Sequence, residues 1–193
     1  MRDTDRVREQ WRRWQRTARR RLRGDLERED LVSAGVRLGE RVSVEGGVWV
    51  DLEWGWLIEI GDLTTLAPRS MVYAHDASTR RALGYTRIAP VVIGARVFVG
   101  AGAVVLPGVS IGDDAVIGAG SVVSRSIPPC SLALGNPARP VAAMEDWLHA
   151  RAASIDDGPV LDGARPELRG ADWGARRERY RQAVLDAGVG WVS

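Results

Sequence analysis

The chain of 193 residues is poor in the residues that build many kinds of site. It has one cysteine, Cys130, which excludes an internal disulfide framework and a cysteine-built zinc site. It has no lysine at all: every one of its 27 basic residues is arginine, so Schiff-base chemistry on a lysine is excluded. It has two histidines, His75 and His149, too few for a three-histidine zinc centre of the carbonic anhydrase kind. No apolar run reaches the length of a membrane span. The N-terminus lacks the apolar segment of a secretory signal, so a cytoplasmic protein is expected.

What is present is uneven. Net charge is +2, yet residues 1–28 hold 11 arginines against five acidic residues. A basic arm suggests nucleic acid. However, Val7, Trp11, Trp14, Ala18, Leu22 and Leu26 share one helical stripe. Residues 1–34 are therefore expected to form an amphipathic helical arm packed on the body or a neighbouring copy, and no nucleic-acid partner is expected.

From Ile93 onward an apolar residue recurs every six positions: Ile93, Val99, Val105, Ile111, Ile117 and Val123. Four places after each stands a small or β-branched residue: Val97, Ala103, Val109, Ala115, Ser121 and Ile127. A helix cannot carry this period, because six residues leave it rotated by about 240°. A plain strand alternates by twos. The pattern demands very short strands joined by tight turns, stacked as coils with the apolar residue inward. Upstream, Leu38, Val44, Val50 and Trp56 share the spacing, and Ile60, Leu66 and Val72 share it again with a shift of four. The period fails between Ser78 and Pro90 and then resumes. Residues 79–90 are thus a loop carried outside the coils, and such loops often bear function.

The stretch from Val91 to Val141, with its six repeats followed by "SIPP" and "GNPAR", resembles the hexapeptide-repeat acyltransferases. "AHDAS" followed by "YTRIAPVVIG" is similar to the branch that O-acetylates maltose, galactosides and polysaccharides. The resemblance covers about residues 35–141 and implies a mainly β fold: a left-handed parallel β-helix solenoid, with an N-terminal amphipathic helix and a C-terminal helical extension over 142–193. It implies acetyl-CoA as co-substrate, no permanently bound cofactor and no metal. It also implies a homotrimer with sites between subunits. Within the extension, 142–153 and 173–187 read as helices, and 154–172 as a loop.

The chemistry needs a base to take a hydroxyl proton, and histidine titrates near neutrality. The resemblance assigns that role to His75. Asp76, or another carboxylate, is expected to orient the imidazole; neighbouring strand residues point apart, which favours a rival to Asp76. His149 reads as a solvated helix residue. By resemblance, Ala101, Ala119, Ser124, Arg125 and Arg139 would line the acetyl-CoA site, with Arg139 facing a phosphate. Asp51, Glu53 and Trp56, with Trp54 nearby, fall where acceptor-binding residues occur in sugar acetyltransferases. Tyr85 and Arg87 sit on the excursion loop, within reach of a neighbouring subunit's site. Cys130 occupies a place typically held by asparagine, so no covalent acyl-enzyme is expected.

The expected activity is acetyl transfer from acetyl-CoA to a hydroxyl of a sugar or glycoside, directly within a ternary complex. N-acetylation of an amino sugar or small amine is the alternative reading. A non-catalytic scaffold is a further one, since fold does not fix function.

Overall fold

The computed structural model describes residues 25–153, 155, 160–161, 173–189 and 191–192. The stripe expected at Val7 to Leu22 lies outside these residues. One compact unit runs up to Met144, and a second begins at Glu145.

The first unit is a stack of coils with three parallel faces. The first face pairs Arg37–Leu38, Ile58–Ile60, Val91–Ile93 and Ser110–Ile111. The second runs through Ser43–Val44, Thr65–Leu66, Phe98–Val99 and Val116–Ile117 to Ser131–Gly135. The third pairs Trp49–Val50, Met71–Val72, Val104–Val105 and Val122–Val123. Most two-residue strands contribute one inward residue, and Ile58–Ile60 and Val91–Ile93 contribute two each. Ile60, Leu66, Val72, Ile93, Val99, Val105, Ile111, Ile117 and Val123 are all at most 1% exposed. These are the six-spaced positions, so each period in sequence is one side of a three-sided coil. The small residues between them, Ala103, Ala115 and Ser121 among them, are buried at the corners.

The register locates the irregularities. Val105 pairs with Val123, 18 residues on, which is three hexapeptides. Val50 pairs with Val72, 22 residues on, and Val72 with Val105, 33 residues on. Both surpluses fall at the corner after the third face. The smaller is the 3₁₀ turn Leu52–Leu57. The larger is an arm running from Ala74 to Pro90. Trp56 is accordingly not an inward residue, as its spacing suggested; it stands 54% exposed in the inserted turn.

Close stacking sets the glycines at the first corner. A Cβ on Gly61 would lie 2.6 Å from the carbonyl carbon of Gly94 on the next coil. Any side chain there would force the coils apart.

Both ends of the stack are covered. Helix α1, Arg28–Ser33, buries Leu31 completely in the core. Its Arg28 guanidinium donates to the carbonyls of Gly39 and Leu38 on the first coil. At the other end Ala138–Ala143 turns back antiparallel on Ser131–Gly135.

The arm is a two-pair antiparallel ribbon, His75 opposite Ile88 and Asp76 opposite Arg87. It therefore begins in strand before residue 79, earlier than the broken period indicated. At its tip lies helix α2, Arg80–Leu83, closed by Gly84 at φ 80°. Helix α3, Met144–Ala153, starts two residues later than the reading of 142–153, because Ala142 and Ala143 belong to the terminal antiparallel strand, and α4, Trp173–Ala187, coincides with the reading of 173–187. A short parallel pair joins Val160–Leu161 to Trp191–Val192.

Candidate active site

The inserted turn and the arm leave the same corner of consecutive coils. Asp51 follows the inward Val50, and His75 stands three places beyond the inward Val72, so pairing of Val50 with Val72 brings the two together. Asp51 is 4% exposed, and its Oδ2 lies 2.5 Å from His75 Nδ1. The same oxygen accepts the N–H of Ala74 at 3.1 Å. A carboxylate buried between two donors is fixed in place. It holds the proton of the neutral imidazole on Nδ1, which leaves the lone pair on Nε2. The His75 side chain keeps 30% of its surface exposed.

Asp51, expected among the acceptor-binding residues, is engaged through Oδ2 with His75 and Ala74. It is the rival to Asp76. Asp76 is exposed and its Oδ1 accepts the N–H of Ser78 at 2.9 Å. That bond, aided by the Ser78 hydroxyl and the nearby Arg87 and His75, holds its carboxyl below the ordinary range. Cross-strand alternation explains the split. His75 and Ile88 share one face of the ribbon, whereas Asp76 and Arg87 share the other. His75 thus reaches back to the first coil. Arg87 reaches forward to the third, donating from Nη1 to the carbonyl of Pro107 at 3.2 Å.

The other expected site residues are distributed. Glu53 and Trp56 are exposed on the inserted turn, with the rings of Trp54 and Trp56 6.1 Å apart. Gly55 gives that turn its seat, because a Cβ there would lie 2.6 Å from the carbonyl oxygen of Ala34. Tyr85 is 78% exposed near the arm tip, and its carbonyl accepts the Thr79 hydroxyl. Ser124 and Arg125 follow Val123 and so share the His75 corner, two coils beyond it. Ala101 and Ala119 lie at the preceding corner, where Gly102 donates to Pro68 and Gly120 to Ala101. The third face separates them from His75 within one chain. Arg139 lies on the terminal antiparallel strand, exposed, with Nη1 on the carbonyl of Ala138. His149 is exposed on α3. Among the described residues, no group of three potential ligands could hold a metal, and no helix is long and apolar enough to cross a membrane.

Sequence reasoning missed the dyad itself. Its signal was the shift of four between the two upstream sets, which marks an insertion directly after Asp51 and puts that residue one coil above the start of the arm.

Comparison with known proteins bears on the repeat and the fold. Residues 90–125 match the family described as bacterial transferase hexapeptide (six repeats). A hexapeptide-repeat-containing acetyltransferase of Vibrio cholerae, solved with acetyl coenzyme A, is 32% identical. It superposes with a TM-score of 0.52 over 57% of this chain and 61% of its own. The galactoside O-acetyltransferase of Escherichia coli K12 is 36% identical over 94 residues, 47% of this chain and 46% of the relative. A Staphylococcus aureus Mu50 protein, named provisionally as an acetyltransferase, is 49% identical over 65 residues, 34% of this chain and 33% of its own. The chain thus spans between a third and a half of the length of these curated relatives.

Proposed function

We propose that this chain, a hexapeptide-repeat solenoid similar to the acetyltransferases, transfers an acetyl group from acetyl-CoA to a hydroxyl of a sugar or glycoside. The observation that carries the reading is the buried Asp51 holding Nδ1 of a partly exposed His75 at the base of the arm. In this mechanism His75 Nε2 takes the proton of the acceptor hydroxyl. The oxygen attacks the thioester carbonyl and forms a tetrahedral oxyanion, stabilised by N–H donors or a bound water. The carbon–sulfur bond breaks, and the CoA sulfur leaves with the proton from the imidazolium. Asp51 stabilises that imidazolium and keeps the ring oriented. The exposed Cys130 plays no part.

The donor would lie along the turns of the solenoid, against Ala101 and Ala119, with Arg139 toward a phosphate. Because those turns and His75 occupy different corners of one chain, a complete site needs a second copy. A homotrimer supplies it, with the left-handed winding of the family. The third face supports this assembly. Its outward column, Trp49, Met71, Val104 and Val122, is continuous and apolar, and Trp49 is 56% exposed.

The test is thiol release from acetyl-CoA against sugars, glycosides and amino sugars, with His75→Ala alongside. Turnover with a hydroxyl acceptor, reduced at least about 10²-fold in the variant, supports the reading. Turnover only with amino sugars, with the acetyl group on nitrogen, replaces it with N-acetylation. Absence of both turnover and CoA binding leaves a scaffold.

A further inference from the structure

The arm that carries His75 has two residue pairs of its own and an exposed tip, on which Leu83 is 65% and Tyr85 78% exposed. A ribbon that short does not hold its place unaided. Its position relative to Asp51 therefore depends on what ties it to the coils on either side. On the side of the first coil the ties are Ala74 and His75 to Asp51. On the side of the third coil, the side-chain tie is Arg87, donating to the Pro107 carbonyl.

The seat of that guanidinium is shaped for it. Gly108 adopts φ +86°, and a Cβ built on it would lie 2.9 Å from Arg87 Nη2. The glycine at this turn thus leaves room for the arginine. Opposite Arg87 on the ribbon stands Asp76, whose carboxylate is fixed by Ser78 and feels the arginine's charge. The backbone supports the same junction: Ala89 donates to Ala74, and Gly108 donates to Pro90.

We propose that Arg87 is a positioning residue for the acetyl transfer. Seated on Pro107 and Gly108, it pins the arm from the third coil and so keeps His75 in register with Asp51. It touches neither donor nor acceptor. This rests on the reading of His75 as the base, and the experiment separates the two ideas.

Arg87→Ala and Arg87→Lys are compared with wild type in the full-length chain. Amide hydrogen exchange is followed at Ala74 and Ala89, whose donors bridge the arm to its base, and at Val99 and Val105 in the solenoid. In Arg87→Ala, exchange at Ala74 and Ala89 is expected to quicken at least about tenfold, with Val99 and Val105 unchanged. With acetyl-CoA and the acceptor found by the panel, kcat is expected to fall about tenfold while KM for acetyl-CoA stays within twofold. Lysine, which still donates to the carbonyl, is expected to recover most of both losses. Wild-type exchange and kcat in Arg87→Ala would overturn the proposal. So would a rise in KM for acetyl-CoA with kcat intact, which makes Arg87 a donor contact, or equal quickening at Val99 and Val105, which makes it a general structural residue. If wild type turns over nothing, the base reading fails. Quickening confined to the arm then still shows the pin, and its absence removes that too.

Discussion

At the residue scale, the pairing of Asp51 with His75 makes the acid–amide exchange informative. In Asp51→Asn the amide oxygen can take the place of Oδ2, which accepts from both Ala74 and His75 Nδ1, so the ring keeps its seat. The negative charge that stabilises the imidazolium formed during transfer is lost. A fall in kcat on the order of 10² to 10⁴ is expected, with the thermal midpoint little changed, read by thiol release and calorimetry on the same sample. A second carboxylate has a structural task. Asp114 receives both Nε and Nη2 of Arg96 at 2.6 Å, which holds its carboxyl below the ordinary range. A depressed carboxylate adds stability above its unfolded-state value, roughly pH 4, and loses it as pH falls through the folded value. Asp114→Asn keeps a residue that tolerates the φ of 58° found there. It is expected to melt below wild type at pH 7, and the difference should shrink as pH falls below about 4 in a melting series.

At the element scale, the arm and the coils are separable. Val72 pairs directly with Val105 and Leu66 with Val99, so the stack closes beneath the arm without using it. Replacing residues 78–86 with a two-glycine turn is expected to leave the β circular-dichroism signal and cooperative melting intact. Transfer should fall by more than about 10²-fold, because His75 loses the ribbon that places it. The coils were legible in sequence for the reason that makes them independent. Each hexapeptide must satisfy the same local rule, an inward residue and a small corner, and the rule was met at Ile93 through Val123 without any long-range information. Trp56 obeyed the spacing by accident, since the inserted turn had already broken the register. The dyad was not legible in the same way. Asp51 and Asp76 are equally acidic in sequence, and only the cross-coil pairing, with the alternation of the ribbon, decides which one His75 faces. The expected donor residues are legible as turn positions, but which corner each occupies emerges only after the two insertions are counted.

At the scale of the whole molecule, the outward column of Trp49, exposed, and Met71, Val104 and Val122, half-buried, is expected to be covered by identical copies. Equilibrium sedimentation should give about three times the chain mass of 21.0 kDa. Trp49→Glu, which sets a charge at the exposed end of that apolar column, should shift the mass toward the single chain. The two closed ends have a different bearing. A stack of parallel strands is a template that can extend by adding more of the same, and its terminal coils offer unspent backbone groups. Here Arg28 occupies carbonyls of the first coil, and the strand Ala138–Ala143 pairs the last edge in the opposite sense. Together they act as partial chain terminators: each blocks part of a tip against end-to-end addition, so an assembly closed through the sides is expected rather than a filament.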